Sequence, residues 1–464
     1  MGPLSRSRLL LVAIVLALYL SSPNVTNTDA YLAVPTAVSI VHSADLDLDE
    51  FSSSVVRNHY GFSEVDGRHY DRFPWAEAVL FVPGVLILDG LAHLGVGNGA
   101  AEMVETNSMG PLQLATASLV AALAALVVAA LAYDRLRVPL RARRRAAFAV
   151  ALIFALGTAA WSTASRSLWQ HGPSMLALGL ALLAATRLED SFRPRVMAVV
   201  LGASLGAAYA LRPTNAIAII AFTVFVGLRH RQHAIGYLCG LGAVLGVFVA
   251  VNVGTYGRVL PRYYSGSRVS VHAADLEALA ANLVSPARGI LVFSPIVVLS
   301  GAGVVITMRR RSLHPLDAVA AVCVVAQVMV VSAQNEGWWA GHAFGPRFLR
   351  DVLPLLAYLS SGRTGAARRD ERPEGGPISQ GRTGCGGDRG DGERRRQRRG
   401  CIPAGVHMLD VDPVDVDLDP SRVWDLRHPQ VLAGIQVLVD ESPRRAMWGP
   451  CDSQRAAPGD DTSG

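Results

Sequence analysis

Apolar runs and clusters of arginine alternate along this chain, and the alternation predicts its architecture. The runs are Leu9 to Leu20, Pro111 to Tyr133, Ala146 to Trp161, Pro173 to Thr186, Val196 to Leu211, Thr214 to Leu228, Ala234 to Val251, Gly289 to Met308, Pro315 to Val331 and a clipped Val352 to Leu359. Several approach the roughly 20 residues that cross a hydrocarbon core. Arginines gather at Arg6/Arg8, Arg135 to Arg145, Arg187 to Arg195, Arg229/Arg231 and Arg309 to Arg311, which are alternate connections. Cytoplasmic loops carry such an excess of positive charge. The pattern predicts an all-α, polytopic transmembrane helix bundle of about 9–10 spans, in a plasma (inner) membrane, with a cytoplasmic N-terminus.

The first run is short enough for a signal-peptide core, but no small-x-small site follows it, so it reads as a retained helix. The segment from Ser21 to about Arg72 is polar and acidic and too long for a mere connection. Phe73 to Gly95 is apolar yet broken by Pro74, Pro83, Gly84 and Asp89. Were it to cross, the Arg135 to Arg145 loop would land outside, so it is expected to be interfacial or re-entrant. Residues 21–110 then form a large first extracytoplasmic loop. The other outside connections are Ser162 to Gly172, the Arg212-Pro213 turn, Asn252 to Arg288 and Gln334 to Arg350.

Composition supports a membrane protein and removes one class of partner. Hydrophobic residues make up 51% of the chain, and all 43 basic residues are arginine. The net charge of +6 comes largely from the basic turns and one Arg-rich stretch, so no nucleic-acid partner is implied. Cys239 and Cys323 lie in apolar runs and Cys385, Cys401 and Cys451 in the tail, without disulfide or metal-ligand spacing.

Chemistry-bearing residues collect in the outside loops: Trp169, Gln170 and His171; Arg212; Asn252, Tyr256, Arg262, Tyr263 and Tyr264; Arg288; Trp338, Trp339, His342 and Arg347. Any single Trp or Tyr at a helix end is more often an interfacial anchor, and a single outside arginine usually meets lipid headgroups. Asp45 to Glu50 taken alone is a solvated acidic run. Convergence on one face is what favours a ligand. Aromatic faces stack on sugars and arginines fork onto phosphate oxygens, so the set suits a phosphate-linked sugar at the membrane surface.

Several short stretches in order resemble a family. Asn27-Thr28-Asp29, Ala44 to Phe51, Tyr70-Asp71-Arg72-Phe73-Pro74, Leu168-Trp169-Gln170-His171-Gly172-Pro173, Leu211-Arg212-Pro213-Thr214, Ser285-Pro286-Ala287-Arg288-Gly289 with Phe293-Ser294-Pro295, and Trp338-Trp339-Ala340-Gly341 with Phe344-Gly345-Pro346-Arg347 are similar to the polytopic GT-C glycosyltransferases, specifically bacterial relatives of the protein mannosyltransferases. The resemblance spans about residues 9 to 357. It implies transfer of a sugar from a polyprenyl-phosphate donor to an extracytoplasmic lipid, glycan or protein acceptor. It also implies an acidic catalytic base in the first outside loop, matched by Asp29 with Asp45 and Asp47 as rivals. Arg347, Arg212 and Arg288 would bind the donor phosphate, and Trp169, Gln170, His171, Tyr263, Tyr264, Trp338 and Trp339 would meet sugar or acceptor. No cofactor is certain, although the acidic run could take a divalent cation. A polytopic transporter or lipid-linked sugar flippase, or a non-enzymatic membrane protein, are the other classes.

The pattern changes after residue 360. Residues 361–400 hold eleven Arg and eleven Gly, and Ile378 is the only large aliphatic or aromatic residue among them. Such a stretch cannot bury enough apolar surface to fold, and a disordered tail is expected. Shifted GC-rich codons yield this composition, so an out-of-frame stretch is favoured over a basic cytoplasmic linker. Pro413 to Asp417 and Arg422 to Gln430, within residues 401–464, again resemble the family's outside C-terminal segment. A lost helix between them would leave the Trp424 segment on the cytoplasmic side, away from its partners, and the product inactive.

Overall fold

The computed structural model describes residues 3–22, 29–188, 192–264, 276–334, 337–362, 415–426 and 430. The chain is mostly helical, and four helices are long and apolar enough to cross a membrane: Gly110–Arg135, Pro194–Leu211, Arg231–Tyr256 and Pro315–Ser332. Other expected spans form shorter helices for local reasons. Pro295 lacks an amide hydrogen and splits the Gly289 to Met308 run into Ile290–Phe293 and Ile296–Arg309. Pro213 likewise separates Pro194–Leu211 from Ala216–Arg229 through a single 3-10 turn.

Packing between helices relies on close backbone approach. A Cβ at Gly202 would lie 2.0 Å from the Tyr237 carbonyl oxygen, and one at Gly240 would lie 2.2 Å from that of Val199. Only glycine allows the Pro194–Leu211 and Ala234–Tyr256 helices to meet this way, as small-residue interfaces do where burial of apolar surface cannot drive association. Gly303 plays the same part against Leu359, bringing Ile296–Arg309 onto Leu353–Ser360.

Ion pairs tie the arginine-rich turns together at one end of the bundle. Arg135 donates to Asp317 at 2.5 Å and lies 4.1 Å over the Tyr358 ring, and Arg187 donates to Asp134 at 2.8 Å. At the other end lie the connections expected to carry the chemistry.

The first long connection is a folded unit. It contains the Ala33–His42 helix, the strands β1 (Phe62–Val65) and β2 (Arg68–Asp71), and the Val82–His93 helix. Leu32, Val38, Leu48, Phe51, Phe81 and Met109 share its apolar core. The hairpin adds one small two-stranded sheet to an otherwise mostly helical set of described residues. Its turn is Asp66-Gly67, both at positive φ (51° and 81°), the Asp-Gly pairing that two-residue hairpin turns favour. Val82–His93 has 12 residues, a length of about 18 Å, and leaves Leu86 and Ile87 exposed.

The stretch 361–400 lies outside the described residues except for Ser361 and Gly362. Residues 415–426 correct the expectation that the Trp424 segment sits away from its partners. Val416 and Val423 are buried with Trp338, Ala278, Ala281 and Ala287, and Trp424 packs at the edge of that cluster. Apolar burial accounts for the docking.

Candidate functional site

Asp29 follows the first helix after residues 23–28, so the Asn27-Thr28 part of its tripeptide lies outside the described residues. Its carboxylate forms an ion pair with Arg347 and accepts a hydrogen bond from the Tyr60 hydroxyl. Arg347 reaches it from a loop that turns through positive-φ residues at Ala340, Gly341 and Gly345. A Cβ at Gly345 would sit 2.8 Å from the Phe293 ring, so glycine lets this loop fold against the Ile290–Phe293 turn.

The Arg347 guanidinium is stacked 4.1 Å over the buried Trp169 ring. Arg350 lies 5.0 Å from the same ring, is fully buried, and donates through Nε to the Arg347 carbonyl at 3.1 Å. Its two terminal nitrogens have no hydrogen-bond partner among the described residues. Two guanidiniums share one aromatic ring, and the neighbouring Asp351 charge acts on Arg350 without a hydrogen bond to it.

Asp29, Tyr60, Arg72, Tyr263, Arg347 and Asp417 line a cavity of about 250 Å³. Arg72 lies 5.9 Å from the Phe73 ring and 6.0 Å from that of Tyr263, and no carboxylate pairs with it among the described residues. The cavity thus presents two guanidiniums, two tyrosines and two carboxylates, Asp29 paired to Arg347 and Asp417 accepting from the Trp339 indole.

Other expected residues fall into three neighbouring groups. The first is a sealed network: Arg212 donates to Asp351 at 2.9 Å and to the Phe348 carbonyl at 2.8 Å. Ser174 donates to the same carboxylate at 3.1 Å, and His171 stands 3.6 Å from it, beyond hydrogen-bond reach. Gln170 accepts from the hydroxyl of the half-buried Tyr264 at 2.6 Å. Arg212, Gln170, His171 and Tyr264 therefore do not line the Asp29 cavity.

The second group braces the loop that carries Arg347. Arg288 is buried and donates to the carbonyls of Trp339 (2.6 Å) and Gly341 (2.9 Å) and to the Gln430 side chain (2.7 Å). Trp338 packs on Val416 and Val423, while the Trp339 indole donates to Asp417 at 2.6 Å. His342 meets Asp415 at 2.9 Å and Asp417 at 3.9 Å. With ligand atoms all within 4.8 Å of one another, these three could hold a divalent cation.

The third group is the acidic run. Asp47 pairs with Arg68 at 2.6 Å and Asp49 with His69 at 2.7 Å, so these two carboxylates serve the β-hairpin. Asp45 keeps one buried oxygen without a partner, and burial together with neighbouring Asp47 raises its pKa. The rivals Asp45 and Asp47 line a separate cavity.

Two further acids lie close behind. Asp71 accepts from the Phe73 amide at 3.0 Å, and burial pushes its pKa up to about 7. Burial also raises Glu77, with the nearby Asp71 charge adding to the effect. Sequence reasoning passed over Tyr60, Arg350 and Asp351 as site residues. Arg350 and Asp351 did carry a signal, sitting next to Arg347 in a short stretch with three charges before an apolar run. Tyr60 carried none.

The chain matches no family model, no curated protein and no solved structure.

Proposed function

We propose that the protein is a polytopic membrane glycosyltransferase that moves a sugar from a polyprenyl-phosphate donor to a lipid, glycan or protein acceptor on the extracytoplasmic side. One observation carries this proposal: a single cavity brings the Asp29 carboxylate together with the Arg347 and Arg72 guanidiniums. A base beside two phosphate-binding groups is what transfer from a phosphate-linked sugar requires.

In the resting protein Asp29 and Arg347 neutralise each other. A donor phosphate competes for Arg347 and attracts Arg72, which frees the carboxylate. Asp29 then takes the acceptor hydroxyl's proton as that oxygen bonds to the anomeric carbon. The bond from the anomeric carbon to the phosphate oxygen breaks, and its electron pair leaves with polyprenyl phosphate. Trp169 and Tyr60 hold Arg347 and Asp29 in register, and Tyr263 offers an aromatic face to the sugar.

Two features support transfer over transport. Among the described residues, the buried ion pairs Arg135–Asp317 and Arg212–Asp351 sit at helix ends. Transporters place their ionisable groups near the midplane. The arginine-rich turns also share one end of the bundle, which supports a cytoplasmic assignment for that end.

This orientation bears on the tail. Gly362 packs on Gly303 and Thr307 at the Arg309 end of Ile296–Arg309, whereas Asp417 and Gln430 meet the Trp339 to Gly345 loop at the other end. Gly303 and Thr307 lie 7 and 11 residues along the helix from Ile296, about 10–16 Å. Residues 361–400 contain one large aliphatic residue, too few for a membrane-crossing helix. A helix lost to a shifted reading frame fits this mismatch.

The decisive assay reconstitutes the chain, and a version with that frame restored, in proteoliposomes with polyprenyl-phosphate sugars and envelope lipid extract. Release of polyprenyl phosphate with sugar gain in the extract is expected from at least the restored form. Failure of both forms rejects the enzyme. Orientation is tested separately: Gly341→Cys should label with an impermeant thiol reagent from outside and Arg143→Cys should not.

A further inference from the structure

Asp45, Asp47 and Arg68 line a second cavity, of about 730 Å³, together with Trp75, Val251 and Gly254. It shares no lining residue with the Asp29 cavity. Its volume falls in the range of small-molecule sites, on the order of 300–1,000 Å³.

The chemistry of the walls selects a ligand. Arg68 pairs with Asp47 at 2.6 Å and acts on Asp45 only at longer range. Asp45 also has a buried oxygen that accepts no hydrogen bond. Such an oxygen asks for a donor, and the carboxylates disfavour the phosphate that the first cavity invites. The Trp75 ring is held by its indole N–H donating to Asn252 at 3.0 Å, so an aromatic surface is fixed beside these acceptors. Hydroxyl-hungry oxygens sharing a cavity with a fixed indole match a pyranose or furanose ring, polar at its edge and apolar on its face.

The cavity also opens toward apolar surface. Val79 at its rim and Val253 beside it on the helix are exposed, so a lipid-linked head could enter while its tail stays outside. Tyr70 lines this cavity while Arg72, two residues on, lines the first. In extended chain that separates their backbones by about 7 Å.

We propose that this second cavity binds carbohydrate and, resting on the glycosyltransferase reading, that it seats the sugar of a lipid-linked glycan acceptor beside the transfer site. Gly254 supplies a clean way to close it, because a Cβ there meets nothing within 4 Å.

The test uses the full chain in nanodiscs, with submicellar dodecyl maltoside as probe and a dodecyl polyoxyethylene ether as the sugar-free control, read by saturation-transfer NMR. Maltoside should bind at least tenfold more tightly than the ether, with saturation concentrated on sugar ring protons. Gly254→Phe and Asp45→Leu should each weaken maltoside about tenfold or more, the loss expected for a filled site or a missing charged hydrogen bond. Asp29→Asn should leave binding unchanged. Equal binding of maltoside and ether, wild-type binding by Gly254→Phe, or displacement of maltoside by dodecylammonium would overturn the proposal. Binding that behaves as expected while transfer is never found rejects the glycosyltransferase reading and the acceptor role, and leaves the carbohydrate site standing.

Discussion

Two aspartate–arginine pairs lie near each other at one end of this bundle and do different work. Asp351 and Arg212 have side chains 0% and 3% exposed, and further donors surround the carboxylate. Asp29 and Arg347 have side chains 19% and 6% exposed and face a cavity. The sealed pair can only hold Leu353–Ser360 and the Arg212 turn in place, since no ligand reaches it without unfolding. The open pair can exchange its partner for a ligand. Identical chemistry therefore divides into scaffold and site according to access alone.

The largest effect should come from neutralising the open carboxylate. Asp29→Asn is nearly isosteric, so in whichever form turns over donor it should lower the rate by about 10²- to 10⁴-fold while leaving thermal unfolding in detergent within a degree or two of wild type. A full rate would move the base elsewhere, Asp47 being the next to replace.

The sealed pair should show the opposite pattern. Asp351→Asn strands the Arg212 charge in the interior and should cost about 3–5 kcal/mol of stability. Fluorescence-detected gel filtration after heating would show it as a large drop in melting temperature. A stable, inactive Asp351→Asn protein would instead make Asp351 part of the chemistry and erase the contrast.

A smaller change sharpens the role of the open arginine. Arg347→Lys keeps the charge but loses the planar fork and the stacking on Trp169. Donor turnover should slow by about tenfold, with insertion and melting little changed. An unchanged rate would return Arg347 to structural duty.

A last prediction concerns the buried Asp71. In the unfolded chain its carboxyl ionises near 3.8 and in the folded chain at about 7. Between those values the unfolded chain binds fewer protons, so this group's stabilisation falls as pH rises and is constant above 7. Asp71→Asn, which can still accept from the Phe73 amide, should flatten the stability profile between pH 4 and 7. A slope equal to wild type would place the titration elsewhere.

The helical character was legible because apolar runs obey simple local rules of length and composition, and four of them form helices long enough to cross a membrane. The arginine clusters anticipated which connections share an end, and Asp66-Gly67 carried the hairpin signal that an all-α reading passed over. Pro295 and Pro213 likewise marked where apolar runs would break. The site was only half legible. Asp29 and Arg347 could be singled out from short matching stretches, but Arg288 and Arg212, equal to Arg347 in type and setting along the chain, turned out to be fully engaged with backbone carbonyls, Gln430 and Asp351.

Sequence alone determined the helical character, the apolar segments and the inventory of charged and aromatic groups, because hydropathy, charge clusters and turn residues act locally. Only the tertiary structure decided which arginine shares a cavity with Asp29, that Asp45 and Asp47 line a different one, and that Asp415 to Leu426 docks on the Trp338 loop. Those outcomes depend on contacts between residues hundreds of positions apart, where a glycine that lets two backbones touch or a ring that seals a pair from solvent settles the role of each charge.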